Sequence, residues 1–112
     1  MDKQVEYYWN ADRSAAAVLV SPGFGAGWST WNYPAVAYDK RVVEYWLTHK
    51  TENNDQAVYD FMESIGYHQV YCGGWNDIEL EWIPKGVKWR IDEYDGNESI
   101  IFYEKEEWNC FE

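Results

Sequence analysis

A chain of 112 residues with 46% apolar and 20% aromatic side chains is long enough to bury a core, and too rich in rings to be disordered. Its 20 Asp and Glu against 9 Lys and Arg give a net charge of −11, which excludes a simple binder of duplex nucleic acid or of an anionic membrane. No apolar run approaches the length needed to span a bilayer.

Residues 5–9 predict a short first strand, and the apolar run 15–21, ending at Pro22-Gly23, predicts a buried one. A glycine-aromatic loop follows, in which Gly23, Gly25 and Gly27 alternate with Phe24, Ala26 and Trp28, and Ser29, Thr30, Trp31, Asn32 and Tyr33 come next. Asp39 is placed to cap a helix running to about His49, with Val42, Val43, Trp46 and Leu47 as its apolar stripe. Polar residues 51–54 separate it from a second helix, in which Ala57, Val58, Phe61, Met62 and Ile65 recur at helical spacing and Gly66 stands at the C-cap.

The second half reads as sheet. Residues 68–72 predict a short strand ending at Gly73-Gly74. Ile78, Leu80 and Trp82 then alternate with Glu79 and Glu81, predicting an apolar face and a solvated one. After a break at Pro84 and Gly86, Val87, Trp89 and Ile91 alternate with Lys88, Arg90 and Asp92. Asp95-Gly96 signals a hairpin into a strand over 100–103. The acidic tail 104–112 carries Trp108 and Phe111, which predict that it packs back on the body. The expected architecture is a single α+β domain over residues 1–112, a mostly antiparallel sheet with two helices packed on one face.

Few residues carry a chemical signature. Cys72, Cys110, His49 and His68 lack the spacing of a zinc site, and with no signal peptide or anchor in view the thiols are expected reduced and the protein cytoplasmic. No local Cys–His signature appears, and Asp92 and Glu93 point to opposite faces of a strand, so no catalytic residue and no cofactor is expected and the chain reads as a non-enzyme. The loop fails both phosphate fingerprints: Trp28 stands where the third glycine of G-x-G-x-x-G belongs, and no Lys follows the last glycine. What survives is a backbone nest over residues 25–29, with the Ser29 and Thr30 hydroxyls, able to hold an anion. Arg90, on the polar face of its strand with Lys88, Asp92 and Tyr94, would supply the fork for a phosphate. Arg13, Lys40, Arg41, Lys85 and Lys88 are the other cations from which such a site can draw.

The segments Gly25-Ala26-Gly27-Trp28-Ser29-Thr30-Trp31-Asn32, Tyr38-Asp39-Lys40-Arg41, Trp82-Ile83-Pro84-Lys85-Gly86 and the run from Arg90 to Ile100 resemble small phage-encoded proteins of unassigned function. The likeness spans residues 21–100. It implies an accessory protein that counteracts host defence in the host cytoplasm. Two routes fit the composition. The first sequesters a small nucleotide-type signal between Trp28, Trp31, Tyr33, Tyr94, Arg90 and the loop donors Gly25, Gly27, Ser29 and Thr30, at a homo-oligomer contact. Stacking on rings contributes about 1–3 kcal/mol per base. The second is an acidic inhibitor that imitates nucleic acid and blocks a host nuclease or defence protein through Glu79, Glu81, Glu104, Glu106 and Glu107.

Overall fold

Most of the tryptophans and tyrosines turn out to be building material. The computed structural model describes residues 5–23, 28–51, 54–71, 75–102 and 109–111. Phe111 is fully buried at the centre of one ring cluster: Trp89 stacks on it at 5.3 Å, and Tyr7, Tyr38 and Trp9 meet it edge-on at 4.7, 6.0 and 6.1 Å. Offset and edge-to-face contacts of this kind add about 0.5–1.5 kcal/mol each beyond burial. Phe111 thus packs on the body as its apolar character predicts; Trp108 lies outside the described residues.

The fold is α+β, with two helices and antiparallel strands. The strands form two sheets. β1 (Ala15–Val20) pairs with β2 (Glu79–Pro84), and β3 (Lys88–Tyr94) lies between β4 (Asn97–Phe102) and the short β5 (Asn109–Cys110). β1 is buried from Ala16 onward, which explains its unbroken apolar run. The hairpin between β3 and β4 turns on Asp95 and Gly96 at φ 50° and 86°, the two positive angles of a type I′ turn. The two sheets meet where Glu98 N–H donates to the Ser21 carbonyl at 2.7 Å.

α1 (Lys40–His49) packs against β1. Its N-cap is Asp39, which accepts from Arg41 N–H, as the sequence predicts. Its last carbonyls are satisfied from a distance: Trp75 Nε1 donates to His49 O at 2.8 Å and Asn76 Nδ2 to Lys50 O at 3.0 Å. α2 (Asp55–Ser64) is capped by Asn54 and joined to α1 by Tyr45, whose ring lies 3.9 Å from that of Phe61. α2 ends in a Schellman motif, Tyr67 N–H bonding to Met62 O and Gly66 N–H to Glu63 O, with Gly66 at φ +96°. A Cβ at Gly66 would meet nothing within 4 Å, so Gly66→Ala costs only backbone strain. It is expected to lower stability by about 1–2 kcal/mol, read from the urea midpoint at constant slope.

Four expectations change. Residues 5–9 make isolated bridges, Tyr7 to Asp39 and Trp9 to Ala16, rather than a strand. Residues 68–71 are not a strand either, because Gln69 adopts φ 59° and Tyr71 exchanges both backbone bonds with the Asn32 side chain; Cys72, Gly73 and Gly74 lie outside the described residues. In β2 the inward residue is Ile83, fully buried opposite Ala16, while Trp82 is 46% exposed and rests near Tyr8. Leu47 is exposed, its place in the α1–α2 contact taken by Tyr45. No helix among the described residues is long and apolar enough to cross a membrane.

Candidate functional site

The described end of the glycine-aromatic loop turns the N–H groups of Trp28 and Thr30 on an anion, and the anion is the protein's own. Trp28 N–H donates to Glu98 Oε2 at 2.8 Å, Thr30 N–H at 3.0 Å, and the Thr30 hydroxyl binds the same oxygen. Ser21 N–H donates to Oε1 at 3.1 Å. Glu98 is 1% exposed. A buried carboxylate needs such donors to offset its lost hydration, and here a β4 side chain fixes both the end of β1 and the loop's exit.

This arrangement scatters the residues expected to act together. Trp28 is fully buried, edge-on to Trp75 at 5.7 Å, and offers no face for stacking. Ser29 is buried, and Thr30 gives its donors to Glu98. Ser29, Thr30 and Arg90 do line one hollow, but of only about 210 Å³, below the usual range of ligand pockets, about 300–1,000 Å³. Arg90 Nη2 also lies 3.9 Å from Asp92. Tyr94 is 78% exposed at the far end of β3. Trp31 and Tyr33 stand on a different surface, beside Tyr71 and Tyr67 at 5.5 Å each. Asn32 pins that surface by bonding Tyr71 O, Tyr71 N–H and Trp28 O, and the Tyr33 hydroxyl donates to His68 O. Gly25 and Gly27 lie outside the described residues, as do Glu104, Glu106 and Glu107.

A different groove gathers cations and rings. Tyr7, Tyr8, Trp9, Arg13 and Lys40 line a concavity of about 560 Å³. A second hollow of about 380 Å³ shares Glu6 and Lys40 with it and adds Val5, Asp39, Arg41 and Glu44. Three of the chain's nine Lys and Arg therefore converge on one side of a strongly acidic molecule. The turn over 10–14 aims Arg13. Asn10 Oδ1 accepts from Ser14 and Ala15 N–H, Asp12 Oδ1 accepts from the Ser14 hydroxyl and N–H, and Arg13 itself takes φ 58°. The Ser14 contacts hold the Asp12 carboxyl below the ordinary carboxylate range. The Arg13 guanidinium then sits 5.1 Å from the Trp9 ring centre, and Lys85 Nζ is 5.9 Å from it. Lys40 lies 3.8 Å from Glu6, a carboxylate 83% exposed. Sequence reasoning overlooked this groove, although three rings in a row followed by Asn-x-Asp-Arg-Ser marked a turn carrying a cation.

The wall of the second hollow carries a polar triad, in which Asp39 and Tyr67 are buried and Arg41 is half exposed. Arg41 grips Asp39 by Nη2 at 2.7 Å and Nε at 3.1 Å, and the Tyr67 hydroxyl donates to the same carboxylate at 2.7 Å. Burial pushes the Asp39 carboxyl up, but the Arg41 side chain, the Tyr67 hydroxyl and the Arg41 N–H outweigh it and hold it below its ordinary value. No family model matches the chain, and no curated protein and no solved structure matches it either.

Proposed function

We propose that this chain binds, without transforming it, a small anionic ligand bearing a planar ring, of nucleotide type, in the groove over Trp9. The observation that carries the reading is the meeting of Arg13 and Lys40 with Tyr7, Tyr8 and Trp9 around about 560 Å³ in a protein of net charge −11. Rings offer stacking planes for a base, and the two cations offer partners for a phosphate. The groove replaces the glycine loop as the seat of the ligand, because Glu98 holds the loop's donors and Trp28 is interior. The likeness to small phage-encoded proteins extends the proposal: the ligand is a host defence signal, and binding withdraws it from its receptor in the host cytoplasm.

A thermal-shift screen over nucleotides and cyclic dinucleotides tests this. A ligand at about a hundred times its Kd stabilises the folded state by about 2.7 kcal/mol, a readable rise in Tm. Arg13→Ala and Lys40→Ala are each expected to weaken binding about tenfold, the loss of one charge-assisted contact. A panel that leaves Tm unmoved, or an Arg13→Ala variant that binds unchanged, sinks the proposal.

The second route, an acidic inhibitor of a host protein, draws support from the exposed and rigidly mounted rings Trp31, Tyr33 and Tyr71. Rings of this kind dominate the central contacts of protein interfaces.

A further inference from the structure

The polar face of α2 and the segment after it enclose a cleft of about 420 Å³. Gln56, Tyr59, Asp60 and Glu63 follow one another at helical spacing along one wall, and Gln69, Val70 and Tyr71 form the other. The second wall is held off the helix by the left-handed backbone at Gln69, by Gln69 N–H donating to Glu63 Oε2 at 3.2 Å, and by the Asn32 clamp on Tyr71. Among the described residues no Lys or Arg lines the cleft. Two tyrosine rings, two carboxylates and two amide side chains face one space. Glu63 is engaged on both oxygens, by His68 Nδ1 and by Gln69 N–H. Asp60 accepts from Gln56 Nε2 at 2.8 Å through Oδ1, which leaves Oδ2 and the second lone pair of Oδ1 for a two-pronged donor.

We infer that this cleft receives an arginine side chain of a basic partner protein, its guanidinium laid against Tyr71 or Tyr59 and forked onto Asp60. Charge complementarity selects the occupant: an anion would meet two carboxylates and no cation, whereas a cation meets both and a π face. Arginine fits better than lysine because a planar guanidinium stacks on a ring and donates in parallel to a carboxylate, while an ammonium is a compact, strongly hydrated point charge. The Trp31–Tyr71 pair continues the surface beyond the cleft, giving flanking residues of the partner an apolar landing. The inference is independent of the groove over Trp9, since the two share no lining residue.

The test uses a blocked arginine peptide flanked by glycines, with its lysine and citrulline counterparts, titrated against the whole chain by calorimetry. The arginine peptide is expected to bind, the lysine peptide more weakly, and the neutral citrulline peptide not at all. Asp60→Asn and Tyr71→Ala are each expected to weaken the arginine peptide about tenfold. Asp92→Asn with Asp95→Asn removes two exposed charges on the β3–β4 hairpin and is expected to leave it unchanged. Equal losses from the hairpin and cleft substitutions would mean that bulk charge alone attracts the peptide, and would overturn the assignment. Binding of the citrulline peptide as tight as that of arginine, or no arginine binding by the unaltered chain, would overturn it as well. A circular-dichroism spectrum of Asp60→Asn that matches the parent keeps a null result from being read as misfolding.

Discussion

Glu98→Ala is expected to cost the fold about 2–6 kcal/mol, the loss of the acceptor that several buried donors share. The carboxylate is the shared acceptor of three backbone N–H groups, those of Ser21, Trp28 and Thr30, and of the Thr30 hydroxyl. Backbone donors cannot be replaced, so alanine takes away their acceptor, at about 1–3 kcal/mol for each buried donor left unmet. The same truncation removes the side-chain half of the junction between β1 and β4, the bond from Ser21 N–H to Oε1, and leaves the backbone bond from Glu98 N–H to Ser21 O. Glu98→Gln keeps one carbonyl oxygen but turns an amide towards N–H groups, so it should fall between alanine and the parent. Thr30→Val removes only the hydroxyl and should cost about 1 kcal/mol. Equilibrium urea unfolding gives the ranking, provided the slope stays constant. A Glu98→Ala loss within about 0.5 kcal/mol, the range of an ordinary surface change, would refute the account of the loop. A second readout follows from the same geometry. With the carboxylate gone the nest is vacant, and sulfate or phosphate should raise the Tm of Glu98→Ala more than that of the parent.

How far the sequence discloses this molecule depends on the range over which each feature is encoded. Helix caps are local: Asp39 and Asn54 sit beside the N–H groups they accept from, and Gly66 beside the carbonyls its turn satisfies, so all three are legible in a few residues. The Asp95-Gly96 turn is equally local. Alternation in β3 is readable because one face of that strand is solvated, whereas β2 misleads: Trp82 is the larger apolar residue, yet Ile83 is the one opposite Ala16 in the interior. The nest in the glycine loop is written in the loop's own composition, but its occupant is Glu98, seventy positions from Trp28, in a strand where it reads as one more solvated acid. The same holds for cations. Arg90 looks like the natural anion fork in sequence, while Arg13, Lys40 and Arg41 gather only after the bridges from Tyr7 to Asp39 and from Trp9 to Ala16 bring residues 6–13 alongside the start of α1. Acidic composition argues against a duplex binder, yet it says nothing of where the few cations collect.

The triad under α1 makes the second large prediction, with opposite signs at the two ends of the pH scale. Asp39 is held below its ordinary carboxylate value, so its contribution to stability is complete above the unfolded-state value of about 3.9 and is lost as pH falls through the lower folded-state value. Tyr67 moves the other way. Burial, then its hydrogen bond to Asp39 and the charge on Asp39, push the phenol well above its ordinary value of about 10, with Arg41 opposing. Its contribution is therefore complete below about pH 10 and is lost as pH rises through the folded-state value. Asp39→Ala removes the α1 cap and the acceptor for Arg41 and Tyr67 together, and is expected to cost about 2–4 kcal/mol at pH 7. Tyr67→Phe keeps the ring and loses only the donation, at about 1.5–3 kcal/mol for a bond to a charged group. The pH profile separates these losses from generic damage. The deficit of Asp39→Ala relative to the parent should narrow as pH falls below about 4, where the parent's own advantage disappears. That of Tyr67→Phe should narrow instead as pH rises beyond about 10. Urea midpoints across that range decide it: parallel profiles for parent and both variants would show that the two groups titrate alike in folded and unfolded chains, and the triad would then be packing without electrostatic consequence.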